Sequence, residues 1–299
     1  MNAWIRVLLV LVLAWLAASC SKFSYVGMEL DVHYDGDTDK LVMLEVERGI
    51  YAGSPSKLGD AITALDRAAN GGRVIPPDDL FSIDFDKLEE SLTKEPSQEA
   101  KPHERDLAEF ARGVKVVKSG TFLDADGRLS LFRMWSISNF KKLIAFTNDG
   151  LNDALIDAGA SDEPFKPAFP VFDVETRDLQ RAKAKARAPW LSADKNSIVL
   201  DVPMTPNCAA RCLAYLLGDK PKEDPPTLVS PWKQISSLEI KDNRALLRFA
   251  PTDGEWMHFE WSWPVENYNQ YMLNNLKENK SFLDESATLK QIREMMKAR

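Results

Sequence analysis

The apolar run from Val7 to Ala18, preceded by Arg6 and closed by Ser19 and Cys20, most constrains what this 299-residue chain can become. As a helix, a run of roughly 12 residues falls well short of the ~20 needed to cross a bilayer core of about 30 Å. A basic start, a short apolar middle and small residues before a cut form the pattern of a secretory signal. Residues 1–19 are therefore expected to be removed, and the fold has to be sought from residue 20 onward. A membrane-spanning anchor is the reading this length disfavours.

Leu16-Ala17-Ala18-Ser19-Cys20 resembles the lipobox of bacterial lipoproteins, in which a signal peptidase cuts before a cysteine that becomes a diacylated N-terminus. Ala17 stands where Leu is usual, with Leu16 one place early. The resemblance covers the leader alone and assigns the rest of the chain to no family. It implies lipidation of Cys20, attachment to the membrane through acyl chains, and an exported location. Where the cell has two membranes, Ser21 after the cysteine resembles the outer-membrane sorting pattern, with the protein facing the periplasm; otherwise it lies on the outer face of the cytoplasmic membrane. Each buried methylene contributes ~0.8 kcal/mol, and stable anchoring takes two chains. An ordinary secretory signal with a chance Cys20 is the alternative. The few residues from Ser21 to Tyr25 reach under ~20 Å when fully extended, so the domain is expected to ride close to the bilayer.

The chain carries 38 Lys and Arg against 45 Asp and Glu, a net charge of −7, and loss of the leader removes Arg6. This balance excludes nucleic acid as an expected partner and argues against polybasic adhesion to anionic lipid. After Cys20 only Cys208 and Cys212 remain. Thr205-Pro206 reads as an N-cap followed by proline at the first helical position, which puts both thiols on one helix face. Side chains so spaced lie ~5–6 Å apart at Cβ, whereas a disulfide wants about 3.8 Å. Reduced thiols and a local disulfide through a distorted turn both stay open, and no metal or cofactor is expected from the pair.

Along the chain, Val26 to Tyr34 alternates apolar with polar residues, Asp35 to Asp39 is turn-rich, and Leu41 to Glu47 returns as a strand. A helix follows over Leu58 to Ala69, ended by Gly71-Gly72. A short helix from Asp84 to Leu92 and another from Glu104 to Arg112 are expected next. Val114 to Leu123 and Leu129 to Ile137 form a hairpin around Asp126-Gly127, followed by a helix from Phe140 to Leu155 that Asn148-Asp149-Gly150 could break in two. Residues 161–176 interleave Pro and Phe as an extended connector between an N-terminal half, 20–160, and a C-terminal half, 177–299. The second half reads as a charged helix at Glu175 to Arg187, a strand at Ser197 to Val202, and three strands, 235–240, 245–249 and 256–263, in an antiparallel meander. Helices at 265–277 and 284–297 close it, with Lys290, Arg293 and Lys297 complementing the last helix's dipole. The expected class is α+β, with antiparallel sheets built from β-hairpin-then-helix units in two similar halves.

The sequence contains none of the short catalytic strings for acyl transfer, zinc hydrolysis or phosphate binding. Glu29, Asp31 and His33 share one strand face and are expected to be solvated, with a cation-ligand triad as the alternative. Trp256, His258 and Glu260 share a face of a late strand that ends at Trp263, and a Glu beside a His can move a proton. Asp35, Asp37 and Asp39, and Asp124 with Asp126, fail the calcium-loop pattern and read as turns. Asp149, Asp153 and Asp157 form an acidic helix face. The leading expectation is a lipid-anchored, non-enzymatic protein of envelope maintenance, assembly or contact with an envelope protein. The alternatives are a small-ligand module using Trp256, His258, Glu260 and Trp263, and a hydrolase with scattered residues centred on His258 and Glu260.

Overall fold

Two hairpins whose strands send apolar side chains to both faces build the centre of the molecule. A computed structural model describes residues 23–75, 83–93, 111–160, 174–210, 235–251, 256–262, 268–277 and 282–297. Gly27–Asp35 (β1) and Lys40–Arg48 (β2) form the first hairpin. Asp35 accepts the Asp37 N–H at 3.0 Å and the Thr38 hydroxyl at 2.5 Å, so this carboxylate closes a turn. Leu58–Ala69 (α1) follows, then Val74–Ile75 (β3), paired with Ile83–Asp84 (β4), and Phe85–Thr93 (α2). Val114–Leu123 (β5) and Leu129–Ser138 (β6) form the second hairpin. In its turn, Asp124 accepts the N–H groups of Asp126 at 3.0 Å and Arg128 at 2.8 Å, while Gly127 takes φ 70, a conformation that suits glycine.

Phe140–Ala160 (α3) runs unbroken through Asn148-Asp149-Gly150. Val174–Lys185 (α4) begins inside the stretch expected as connector, and Leu191–Asp194 (β7), which the sequence pattern missed, precedes Ser197–Pro203 (β8). Ile235–Lys241 (β9), Arg244–Phe249 (β10), Met257–Ser262 (β11), Tyr271–Lys277 (α5), Leu283–Asp284 (β12) and Glu285–Lys297 (α6) complete the order. The helix expected at 104–112 falls almost wholly outside the described residues, as do 161–173 of the connector.

The fold is α+β. Six strands form the large sheet in the order β11-β1-β2-β6-β5-β12, and four form a second in the order β7-β8-β10-β9. Among the described residues all pairings are antiparallel except the short β12 against β5. The expected meander over 235–263 is corrected here: β9 and β10 pair, but β11 crosses to the large sheet and lies beside β1. Met257 and Phe259 explain the move, because both are buried in the cluster that also takes Leu30, Val32 and Tyr34 of β1. The large sheet thus draws strands from both sides of 161–176.

Both faces of the large sheet are covered. One face carries Met28, Leu30, Val32, Tyr34, Met43, Trp135 and Ile137 against α3 and the second sheet, with Phe249 and Phe259 ring centroids 6.2 Å apart. At the turn of the first hairpin a Cβ on Gly36 would lie 2.6 Å from the Lys195 carbonyl oxygen, so only glycine allows this approach of the two sheets. Asn148 ties α3 to the second sheet by donating to Leu191 O at 2.9 Å and accepting the Trp190 and Leu191 N–H groups. Toward the other end of the same face, α1 and α5 pack Ala61, Leu65, Met272, Leu273 and Leu276 on Phe23, Ile50, Leu129 and Leu131. The opposite face holds Val42, Leu44, Val46, Phe122, Phe132 and Met134 beneath Leu289, Ile292 and Met296 of α6. Packed against the second sheet just after β8, Thr205 accepts the Cys208 N–H at 3.1 Å as the expected N-cap, and Cys208 is buried; Cys212 lies outside the described residues.

Where the two clusters of the first face meet, β2 and β6 place charge in the interior. Arg133 is 1% exposed and donates to Glu45 at 2.9 Å, with Glu47 at 3.5 Å. Trp135 donates its indole N–H to the second Glu45 oxygen at 2.8 Å, and the guanidinium lies 5.0 Å from the Trp135 ring centroid. Glu47 Oε2 makes no hydrogen bond among the described residues. Burial first, and the neighbouring Glu45 carboxylate after it, push the Glu47 carboxyl up to about 8 against the pull of Arg133.

A carboxyl raised from 4.5 to about 8 supports folding fully below 4.5 and loses that support as pH rises through 8. Chemical denaturation across this range is expected to show stability falling toward alkaline pH, and Glu47→Gln to flatten the fall; a slope unchanged by the substitution would place the titrating group elsewhere. In the same assay Arg133→Met is expected to cost ~3 kcal/mol or more at pH 8, because it strands Glu45 and Glu47.

Candidate functional site

The polar face of β1 was expected to meet solvent, and this is corrected by its position under α6. Asp284 accepts the Ala287 N–H at 2.7 Å and so caps α6, whose Leu289, Ile292 and Met296 recur at helical spacing and seat it on the sheet. That docking carries Glu285 and Arg293 over the β1 carboxylates. The pairing of β1 with β11 sets Asp31 opposite His258 and Glu29 opposite Glu260, so two polar triplets far apart in sequence share one surface.

Asp31, its side chain 3% exposed, lies 2.6 Å from His258 Nδ1 and accepts from Arg293 Nε at 2.9 Å. Since a carboxylate can only accept, Nδ1 carries the proton. Arg293 also stands 3.7 Å from Glu29, which takes Arg48, and Arg48 reaches Glu285 at 2.6 Å. The charges therefore alternate along a chain of six groups: His258, Asp31, Arg293, Glu29, Arg48, Glu285. Burial opposes ionisation of Asp31, but the hydrogen bonds and charges of His258 and Arg293 outweigh it and hold its pKa below the ordinary 3.8. The bond to Asp31 raises His258 above 6.5 despite partial burial, with Glu29 and Glu260 adding to the effect. Arg48 is held still more firmly protonated, since its two carboxylate partners outweigh its burial.

Beside this chain a cleft of ≈ 460 Å³ opens, lined by Arg48, Trp256, Glu285, Leu289, Lys290 and Arg293 among others. Its wall presents both signs of charge and one indole. His258 and Asp31 stand behind it, joined to it through Arg293. With Nδ1–H committed to a carboxylate that an arginine shares, and with that bond favouring its protonated form, His258 is better placed to hold a charge pair than to abstract a proton.

Of the residues singled out from sequence, Trp256, His258 and Glu260 are placed on one face, with Glu260 exposed; Trp263 lies outside the described residues. Among the described residues no three His, Cys, Asp or Glu side chains are grouped to hold a metal ion, and Glu29, Asp31 and His33 do not converge as a triad. The acidic face of α3 is partly paired, with Asp153 2.6 Å from Arg187. Sequence reasoning missed Arg48 and Glu285 and gave Arg293 only a helix-dipole role. A signal was present at Arg48, which strand alternation places on the same face of β2 as Val42, Leu44 and Val46. Comparison with protein-family models, curated proteins and solved structures gives no match.

The Asp31–His258 contribution needs one group ionised and the other protonated. It is therefore fully present between pH 3.8 and 6.5, lost as pH falls through the depressed Asp31 value and lost again as pH rises through the elevated His258 value. Asp31→Asn is expected to return the His258 titration, followed by imidazole NMR, to 6.5 or below and to cost about 2 kcal/mol. Amide exchange over Glu285–Lys297 should accelerate as α6 loosens; protection equal to the parent protein would show that the charge chain does not hold the helix.

Proposed function

We propose that this chain is an exported lipoprotein, acylated at Cys20 and held by its acyl chains against a membrane, where its domain acts as a non-enzymatic contact module of the cell envelope with a protein partner. The observation that carries this reading is how soon after Cys20 the fold begins. Phe23 is 4% exposed among the side chains of α1 and α5, and Ser24 exchanges two hydrogen bonds of 2.8 Å with Tyr51. From Cys20 to Phe23 the chain extends at most about 11 Å. An acyl group at that distance holds the domain at one height and limits its tilt, which suits a protein that meets its partner at the membrane surface. In a cell with two membranes, Ser21 directs the protein to the outer one, facing the periplasm.

Cys20→Ala is expected to move the protein from the membrane pellet to the soluble fraction, and the parent protein should begin at an acylated Cys20 by intact-mass measurement. A mature N-terminus lacking acyl chains, or beginning at another residue, would end the proposal.

The cleft beside α6 supports a second reading, a module for a small ligand. Trp256 offers a flat apolar platform, while Arg48, Lys290 and Glu285 offer charges of both signs, a lining suited to a zwitterionic or amphipathic molecule. Trp256→Ala is expected to weaken a ligand found by thermal-shift screening at least ~10-fold. Binding indifferent to that change would place the ligand elsewhere.

A further inference from the structure

We propose that the tyrosine-edged end of the domain, formed by Tyr51 and Tyr271 with Tyr268 packed against Tyr51 and its hydroxyl buried, seats in the headgroup layer of a phospholipid bilayer. The proposal rests on acylation of Cys20 and adds the face that meets lipid. Ser24 is paired directly with Tyr51, and four residues of chain span at most about 14 Å, so Tyr51 cannot lie far from an acylated Cys20. Headgroups occupy ~5–8 Å on each side of the apolar core, which brings this end of the domain to their level.

Three local features fit that position. The Tyr51 and Tyr268 rings meet edge to face, with centroids 5.7 Å apart, and Asn269 donates to Ala52 O at 2.7 Å, binding residues 268–271 to the segment beside Ser24. Tyr271 opens α5 with 46% of its surface exposed, while Met272, Leu273 and Leu276 fill the core, so the ring is not consumed by packing. The loop after Ala52, Gly53-Ser54-Pro55-Ser56-Lys57, carries an exposed cation and no carboxylate. Tyrosine combines an apolar ring with a polar tip and concentrates at membrane interfaces, and a nearby Lys is compatible with lipid phosphates. Among the described residues the other exposed large apolar side chains lie elsewhere: Val174 of α4 and Ile240 of β9 belong to the second sheet and its helix, and Leu283 belongs to β12, at the edge of the large sheet opposite β11.

Hydroxyl-radical footprinting of the native acylated protein in phosphatidylethanolamine–phosphatidylglycerol vesicles, against the soluble Cys20→Ala protein, tests this without altering the patch. Tyr271 is expected to be protected at least ~3-fold on vesicles, with Tyr51 following it and Val174 and Ile240 unchanged. Equal labelling of Tyr271 in the two samples, or protection of Val174 and Ile240 in its place, overturns the seat. Intact mass of the vesicle-bound sample separates the two proposals: acylated Cys20 with an open Tyr271 removes the seat alone, and an unacylated N-terminus removes both.

Discussion

The ion group at Arg133 is the constraint on which the large sheet depends. β2 and β6 are its inner strands, and their register places Glu45 opposite Arg133 and Glu47 opposite Leu131. The guanidinium is as buried as the aromatic side chains around it and sits where the cluster under α1 and α5 gives way to the one under α3 and the second sheet. Tyr25 packs against both clusters, and burial together with Glu47 and Glu45 raises its hydroxyl pKa well above the ordinary value. A buried ion pair is weak evidence for stability, because desolvation offsets much of the attraction. Its stronger effect is on register. A one-residue slip of β6 would turn Arg133 to the face of Val42, Leu44 and Val46, an apolar surface under α6, and leave Glu45 and Glu47 buried without their cation.

The sheet therefore uses charge differently on its two faces. On the first, one cation is sealed inside beside two carboxyl groups, Glu45 and Glu47. On the second, six groups of alternating sign run between α6 and the strands at the edge of an apolar patch, and all of them but Asp31 remain partly exposed. The Arg133 group acts through what it forbids, while the chain from His258 to Glu285 acts by fastening the last helix to the first strand.

Strand alternation made β1 legible, the Asp-rich turn and Asp126-Gly127 marked the two hairpins, and helical spacing located α1 closely, because an alternating or helical pattern reports which side of an element is buried. It does not report the partner. His258 and Asp31 were each visible as polar-face residues, yet they are 227 positions apart, and nothing local in either strand encodes their pairing. β11 read as the third strand of a meander because it follows β10 closely in sequence; its buried Met257 and Phe259 find the larger apolar surface against β1 instead. Arg133 was hidden for the opposite reason, as one cation inside the strongly apolar segment Leu129–Ser138, where a run of buried positions looks the same with or without it. The short β7 carries alternating half-buried and exposed positions over only four residues, too few for a period to register.

These pairings join the beginning and the end of the described chain. β1 receives backbone hydrogen bonds from β2 and β11, and its Glu29 and Asp31 receive the cations of β2, β11 and α6. A load applied at Cys20 would enter β1 and be shared along two ladders and the charge chain. Unpeeling a strand from an edge breaks its hydrogen bonds a few at a time, whereas drawing out a strand paired on both sides strains many together. A pull from the proposed anchor would thus be resisted by the whole sheet, and α6, the last helix described, is part of what holds the first strand in place.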